Sequence, residues 1–343
     1  MSERIGDATK NGGKQEMSDT ATLSRSAPAA QPPVEVLWLP ARQMDGQRHS
    51  LNGPLLVDGS DGDVLDGPLR LAQLLARRDR VRVQVLAVVS PLSSERSIGV
   101  SLAAGLDSEE VDECRREVAR NRTRARVSEH VGLSVFFGTS SALGPRVDTL
   151  SEAARSDAAA YVLSGLPALG TSGREAGGRL ASRLAVEAAT PVLAVPPNVH
   201  ALPRSVLAAV DGGDASMDAA RAALPLLGEF GSLTLLHVVP SDSLEGGRSP
   251  VAERQHRVMD ALRSLAKELR GSADVAVHLV TLQGDPQAVL AEWVSGFDLV
   301  TLGASSHETI EPASDASTSR IVFETAPGVI LVAPARSAGK EAC

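Results

Sequence analysis

The 343 residues carry 34 basic and 42 acidic side chains, a formal net charge of −8, and 43% of them are hydrophobic. That length allows two domains, each with a core of its own, while the acidic balance excludes a general binder of nucleic acid or anionic membrane, which needs a basic surface. Aromatics at 2% leave no base-stacking platform, and no apolar run approaches a membrane span; two cysteines, Cys114 and Cys343, and seven scattered histidines give neither a disulfide framework nor a metal site, so a reducing, cytoplasmic setting fits.

Residues 1–33 are polar and small, without a hydrophobic signal core, and read as a disordered tail. Val34–Pro40 is an apolar segment suited to an extra edge strand, closed by its proline. Pro54–Asp61 reads as a buried strand ending in an acidic turn, Pro68–Ala76 as a helix with Leu71, Leu74 and Leu75 on one side, and Val81–Val89 as a second strand. Residues 91–106 read as an irregular insert. A helix follows from Ser108, taken as its cap with Glu109 and Glu110 in the first turn, to about Glu129. Leu133–Phe137 is the third strand, Gly144-Pro145 opens a helix through Ala154, and Ala159–Leu163 is the fourth strand. A glycine-containing loop over 164–178, a helix over Leu180–Ala188 and a fifth strand over Pro191–Val195 complete the unit. Residues 198–203 form a short linker.

The same order then repeats. Ser205–Gly213 is strand plus acidic turn, Ala219–Leu227 helix, Leu233–Val239 strand, Ser249–Leu269 a long helix and Val275–Leu282 strand. Gly284-Asp285-Pro286 opens a helix through Trp293, its proline suited to the first turn. Leu299–Leu302 is strand, followed by Gly303 and a loop rich in hydroxyl groups to Ser319. Arg320–Glu324 is a short helix, Gly328–Val332 the last strand, and 335–343 a polar tail. Val57-Asp58-Gly59 aligns with Val210-Asp211-Gly212 at an offset of 211 − 58 = 153, and Gly144-Pro145 with Gly284-Asp285-Pro286, so the chain is an internal duplication. Ligands of such parallel sheets lie beyond the carboxyl ends of the strands.

This pattern resembles the universal stress protein family. Ala209-Val210-Asp211-Gly212, Leu236-His237-Val238-Val239, Gly284-Asp285-Pro286 and Asp298–Gly303 carry the resemblance most clearly. It covers 54–197 and 204–334. It implies two tandem flavodoxin-like or Rossmann-like α/β domains, 34–198 and 204–334, each a mainly parallel five-stranded sheet with helices on both faces. It also implies pairing of the domains through their last strands as a pseudo-dimer, with homodimerisation of whole chains as a further step. In some members it implies ATP, an adenine nucleotide, with Mg²⁺.

Nucleotide-binding members carry Gly-x-x-Gly-x9-Gly-Ser/Thr, whose glycines let the backbone approach phosphate oxygens. The resemblance places Asp211, Gly212, Val238, Gly303, Ser306, Ser317 and Thr318 in one site and Asp58, Gly59, Val88, Gly165 and Gly178 in the other. In the second copy only Gly303 survives of three glycines. In the first, Gly165 and Gly178 survive but Ala168 and Arg179 replace the other motif residues. Strand register alone would put Ser164 in the place of Gly165. Glu308, Glu311 and Asp315 repel phosphate in the second loop. Weak or absent ATP binding is therefore expected.

Each of these residues has a plainer structural role. The Asp-Gly pairs stop strands, Val88 and Val238 fill the core, the serines form a surface loop or cap a helix, His237 is a satisfied, part-buried histidine, and Arg179 and the arginines between Arg115 and Arg126 are solvated. No nucleophile–base set or phosphate-loop lysine occurs, so no catalytic residue is assigned. A non-nucleotide-binding interaction module, using the edge strands Pro191–Val195 and Val329–Val332, is the alternative, and a slow ATPase a more distant one.

Overall fold

The protein is described here from a computed structural model over residues 35–39, 50–92, 107–130, 135–240, 250–272, 275–304 and 318–334. These residues all fall within one unit, Pro32–Cys343. Strand β1 (Glu35–Leu39) is followed by β2 (Leu55–Asp58), α1 (Asp66–Asp79), β3 (Val83–Val89), α2 (Ser108–His130), β4 (Phe137–Leu143), α3 (Arg146–Ser156), β5 (Tyr161–Gly165), α4 (Arg174–Ala188) and β6 (Val192–Val195). The second half runs β7 (Ser205–Ala209), α5 (Asp214–Ala223), β8 (Ser232–Val239), α6 (Pro250–Ser272), β9 (Ala276–Gln283), α7 (Pro286–Trp293), β10 (Leu299–Ala304), α8 (Thr318–Thr325) and β11 (Val329–Pro334).

The eleven strands of the described residues form one sheet in the order β1-β9-β8-β7-β10-β11-β6-β5-β2-β3-β4. Each half contributes five parallel strands, and the order of one half mirrors the other about the β11–β6 seam. That seam is antiparallel, with Ile330 opposite Ala194, Leu331 opposite Leu193 and Val332 opposite Val192. The segments expected as free edges therefore cover each other in the middle of the sheet. The strands are nearly continuous in Val, Leu and Ala because both faces are covered by helices. Alternation sends Leu55, Val57, Val206 and Leu235 into a core shared with α1 and α6, and Leu56, Val162, Leu207 and Ile330 into a second core shared with α3, α4 and α8.

Local starts follow their sequence signals, with some corrections. Proline opens α7 at its first position, and the Asp285 carboxylate accepts from the Gln287 and Ala288 N–H groups at 3.3 and 3.2 Å. Helix α2 does not use Ser108 as its cap. Asp107 accepts from the Glu110 N–H at 2.8 Å and Glu110 accepts from the Asp107 N–H at 2.9 Å, a reciprocal capping box one residue earlier. The third strand, expected over Leu133–Phe137, runs Phe137–Leu143; residues 133 and 134 lie outside the described residues. The apolar run misleads because β4 is the last strand of the sheet, where half-exposed Thr and Ser suffice, and Phe136 is 87% exposed. Helix α4 starts at Arg174, not near Leu180, so Gly178 lies inside it rather than in a loop.

Strand β1 precedes the first half but pairs antiparallel with β9 at the far edge of the second, Leu37 opposite Leu279. The halves are also tied at the seam. The buried Arg174 guanidinium donates through Nε to the Phe323 carbonyl at 2.5 Å, through Nη1 to the Pro167 carbonyl at 2.7 Å, and through Nη2 to the Ala326 carbonyl. Three carbonyls satisfy a cation that would otherwise be costly to bury. Tyr161 Oη donates to the Ala222 carbonyl at 2.5 Å, and Arg78 donates to the Leu227 carbonyl at 2.8 Å.

Candidate functional site

Both halves gather loops at the carboxyl ends of their parallel strands, and the ladders fix how the two sets correspond. The Gly144 N–H donates to the Val89 carbonyl and the Gly284 N–H to the Val239 carbonyl, at 3.1 and 3.0 Å. Six residues before those valines, Val83 and Leu233 face Leu55 and Val206. Leu55 thus corresponds to Val206, an offset of 206 − 55 = 151 rather than 153. Asp58 is level with Ala209, and Asp211 with Ser60. An Asp-Gly pair stops a strand wherever it falls, so it carries no register.

The two aspartates consequently have different surroundings. Asp58 is the buried last residue of β2. Its Oδ2 accepts from Arg146 Nε at 2.8 Å and Nη2 at 2.6 Å, and Ser164 Oγ lies at 3.5 Å. Its Oδ1 accepts from the Ser60 N–H at 3.0 Å. Arg146 is the first residue of α3, so the helix that opens after Gly144-Pro145 delivers a guanidinium onto the carboxylate. Ser60 Oγ in turn accepts from the Val88 N–H at 2.9 Å. Both polar handles of the first crest are engaged within the protein.

Asp211 lies beyond the end of β7 and is exposed. Its Oδ1 accepts from the Gly213 N–H at 2.8 Å and from Ser216 Oγ at 2.6 Å. Partial burial raises the carboxyl pKa, but the Ser216 and Gly213 hydrogen bonds overcome this and hold it below the ordinary value. Gly212 makes the turn at φ +85°, a conformation that favours glycine. Val238 is partly buried beside it in β8. His237 is buried, with Nδ1 2.8 Å from the Val210 carbonyl and Nε2 2.8 Å from the Gln255 amide nitrogen, so it is satisfied and not aimed at a ligand.

The expected loop glycines have packing roles. Tyr161 and Leu299 face Leu55 and Val206, which makes Gly165 level with Gly303 and settles the register in favour of Gly165 over Ser164. A Cβ on Gly165 would sit 2.5 Å from the Val64 carbonyl oxygen, and one on Gly303 would sit 2.5 Å from Ala215 C and Ser216 N. Each glycine lets the neighbouring loop or helix start cross closely. Gly178 is buried in α4 against the Phe323 ring of α8, where a Cβ would lie 2.5 Å from Cγ. It joins the halves and is not part of a phosphate loop. Arg179 is exposed and pairs with Glu175 at 2.6 Å. Thr318 is the first residue of α8, while Ser306 and Ser317 lie outside the described residues.

The first crest keeps a cavity of about 840 Å³ under α2. Gly59, Ser60, Asp61 and Val88 line its floor, and Arg115, Arg122 and Arg126 its roof. Three of the α2 arginines thus face a cavity rather than open solvent alone. Arg146, Ser60 and Ser216, which organise the two crests, belong to no motif. Only the position of Arg146, directly after Gly144-Pro145, marks it in the sequence. Among the described residues there is no cluster of His, Cys, Asp and Glu able to hold a metal ion, and no helix long and apolar enough to cross a membrane.

A parallel sheet ordered β9-β8-β7-β10-β11, with helices on both faces and its loops at the strands' carboxyl ends, is a Rossmann-like α/β layer. Residues 203–334 match the family model of the Universal stress protein family. No curated protein matches the chain. Among solved structures, a universal stress protein from Archaeoglobus fulgidus is 17% identical with a TM-score of 0.51, covering 84% of this chain and 98% of that one; it shares the fold. A putative universal stress protein from Pseudomonas aeruginosa is 16% identical with a TM-score of 0.45, covering 83% and 93%. A universal stress protein in complex with cAMP is 15% identical with a TM-score of 0.31, covering 40% and 100%.

Proposed function

We propose that the chain is a tandem universal-stress-type protein of the cytoplasm, acting in stress response by regulation or ligand sensing, with weak or lost binding of adenine nucleotide. Its two domains, 34–198 and 204–334, pair within the chain as a pseudo-dimer along β6 and β11, and β1 is an arm of the first that completes the sheet of the second. The observation that carries the reading is the unequal state of the two crests. Asp58 and the Val88 N–H are consumed by Arg146 and Ser60, whereas Asp211 is an exposed residue whose carboxyl pKa is held below the ordinary value. ATP, with Mg²⁺, would therefore use Asp211, Gly212, Val238, Gly303 and Thr318, together with Ser306 and Ser317, which lie outside the described residues.

Isothermal titration with ATP and Mg²⁺ tests this. The expected affinity is weaker than micromolar, removed by Asp211→Ala and unchanged by Val88→Ala. Sub-micromolar affinity contradicts the reading. The alternative is a non-nucleotide-binding interaction module, favoured by the internal use of the first crest's polar handles. Nucleotide released from the purified protein on denaturation, read by absorbance, would sink that alternative. Slow ATP hydrolysis ranks below both, because among the described residues no side chain at either crest is placed as a general base.

A further inference from the structure

The two outer strands of the duplicated unit, β4 and β9, correspond through Phe137 and Val277, which pair with the equivalent Val83 and Leu233. Their fates differ. The outer edge of β9 is closed by β1, five residues paired antiparallel from Glu35 opposite Thr281 to Leu39 opposite Val277. Strand β4 pairs with β3 on one side and, among the described residues, ends the sheet on the other. An open edge offers a row of backbone donors and acceptors, and stable monomers protect such edges with charge, proline, a bulge or a cover. Phe137-Gly138-Thr139-Ser140-Ser141-Ala142-Leu143 contains neither charge nor proline. All seven residues are at least partly exposed.

We propose that this edge docks the same edge of a second copy of the chain, β4 against β4, antiparallel about a two-fold axis at Ser140. The strand is self-complementary in that register. Phe137 falls opposite the partner's Leu143, Gly138 opposite Ala142, and Thr139 opposite Ser141, while Phe136 meets the partner's Gly144. The two exposed large apolar residues at this edge, Phe136 at 87% and Leu143 at 37%, are the ones this pairing covers at either end. Between them small and hydroxyl side chains let the strands approach, and Thr–Ser pairs across strands are favourable. A two-fold contact of this kind closes on itself and gives a dimer rather than a filament. It also continues what the molecule already does twice, since β1–β9 and β6–β11 are both antiparallel seams in the same sheet. The inference is independent of the nucleotide reading.

Analytical ultracentrifugation of the full chain across the micromolar range provides the test. The expected species has twice the chain mass of 35.6 kDa. Phe136→Asp, at a side chain too exposed to be needed for folding, should weaken the dimer at least tenfold, and Phe136→Leu should retain it. In a background with Cys114→Ser and Cys343→Ser, Ser140→Cys should oxidise to a covalent dimer because each Ser140 faces its own copy. A chain that stays monomeric throughout overturns the proposal. So does a dimer that survives Phe136→Asp unchanged and fails to cross-link through Ser140→Cys, which would point to another surface such as the outer edge of β1.

Discussion

At the scale of single residues, Arg146 decides what the first crest can do. Its guanidinium closes on a carboxylate with no exposed surface, while 29% of the arginine side chain stays exposed. Removing one partner of a buried pair strands the other charge, and such losses run to about 3–5 kcal/mol. Arg146→Met should therefore destabilise the protein by about that amount in urea unfolding. The double substitution Arg146→Met with Asp58→Leu should cost clearly less than the two singles added together, because it removes the stranded charge with its partner. Additive losses would mean that the pair is not coupled and that Asp58 is free to meet a ligand. None of this was readable from the sequence. The Asp-Gly dipeptide looked the same in both halves, and only the ladder reveals that one aspartate ends inside the strand while the other stands two positions beyond its counterpart.

At the scale of elements, the seam between the halves depends on close helix packing. Gly178 is a helical glycine whose missing side chain makes room for Phe323. In an open helix, Gly→Ala gains about 1 kcal/mol from propensity. Here the added methyl meets the centre of an aromatic ring, and overpacking of that kind costs about 1–3 kcal/mol. Gly178→Ala should thus destabilise by about 1 kcal/mol, and the combination with Phe323→Leu should recover most of the loss. A stabilised Gly178→Ala would place this glycine in a loose loop after all. Most elements were legible because long periodic segments such as α2 and α6, and continuous Val/Leu strands such as β3 and β8, leave little choice of period. What failed has physical causes. β4 is half-exposed and lacks the apolar signal of a buried strand. The start of α4 is hidden by Gly173 just before it and by the glycines it tolerates at 177 and 178. The destination of β1 depends on contacts more than two hundred residues away in sequence, from Glu35 to Thr281.

At the scale of the whole molecule, duplication gives two crests on one sheet but not two equal sites. The repeated order of strand, helix and glycine turns was visible in the sequence, and β6 pairs antiparallel with β11 where the two runs meet in the sheet. The divergence of the copies was not visible, because it rests on Arg146 and Ser60, which no motif singles out. The first copy has turned its polar handles inward and the second has left Asp211 at the surface. Hydrogen exchange read by mass spectrometry, with and without saturating ATP and Mg²⁺, measures this asymmetry at both crests in one experiment. The account predicts no ligand-dependent slowing in peptides spanning Gly59–Asp63 and Val88, with any slowing confined to those spanning Asp211–Gly213 and Val238. Slowing at the first crest, alone or together with the second, would contradict it.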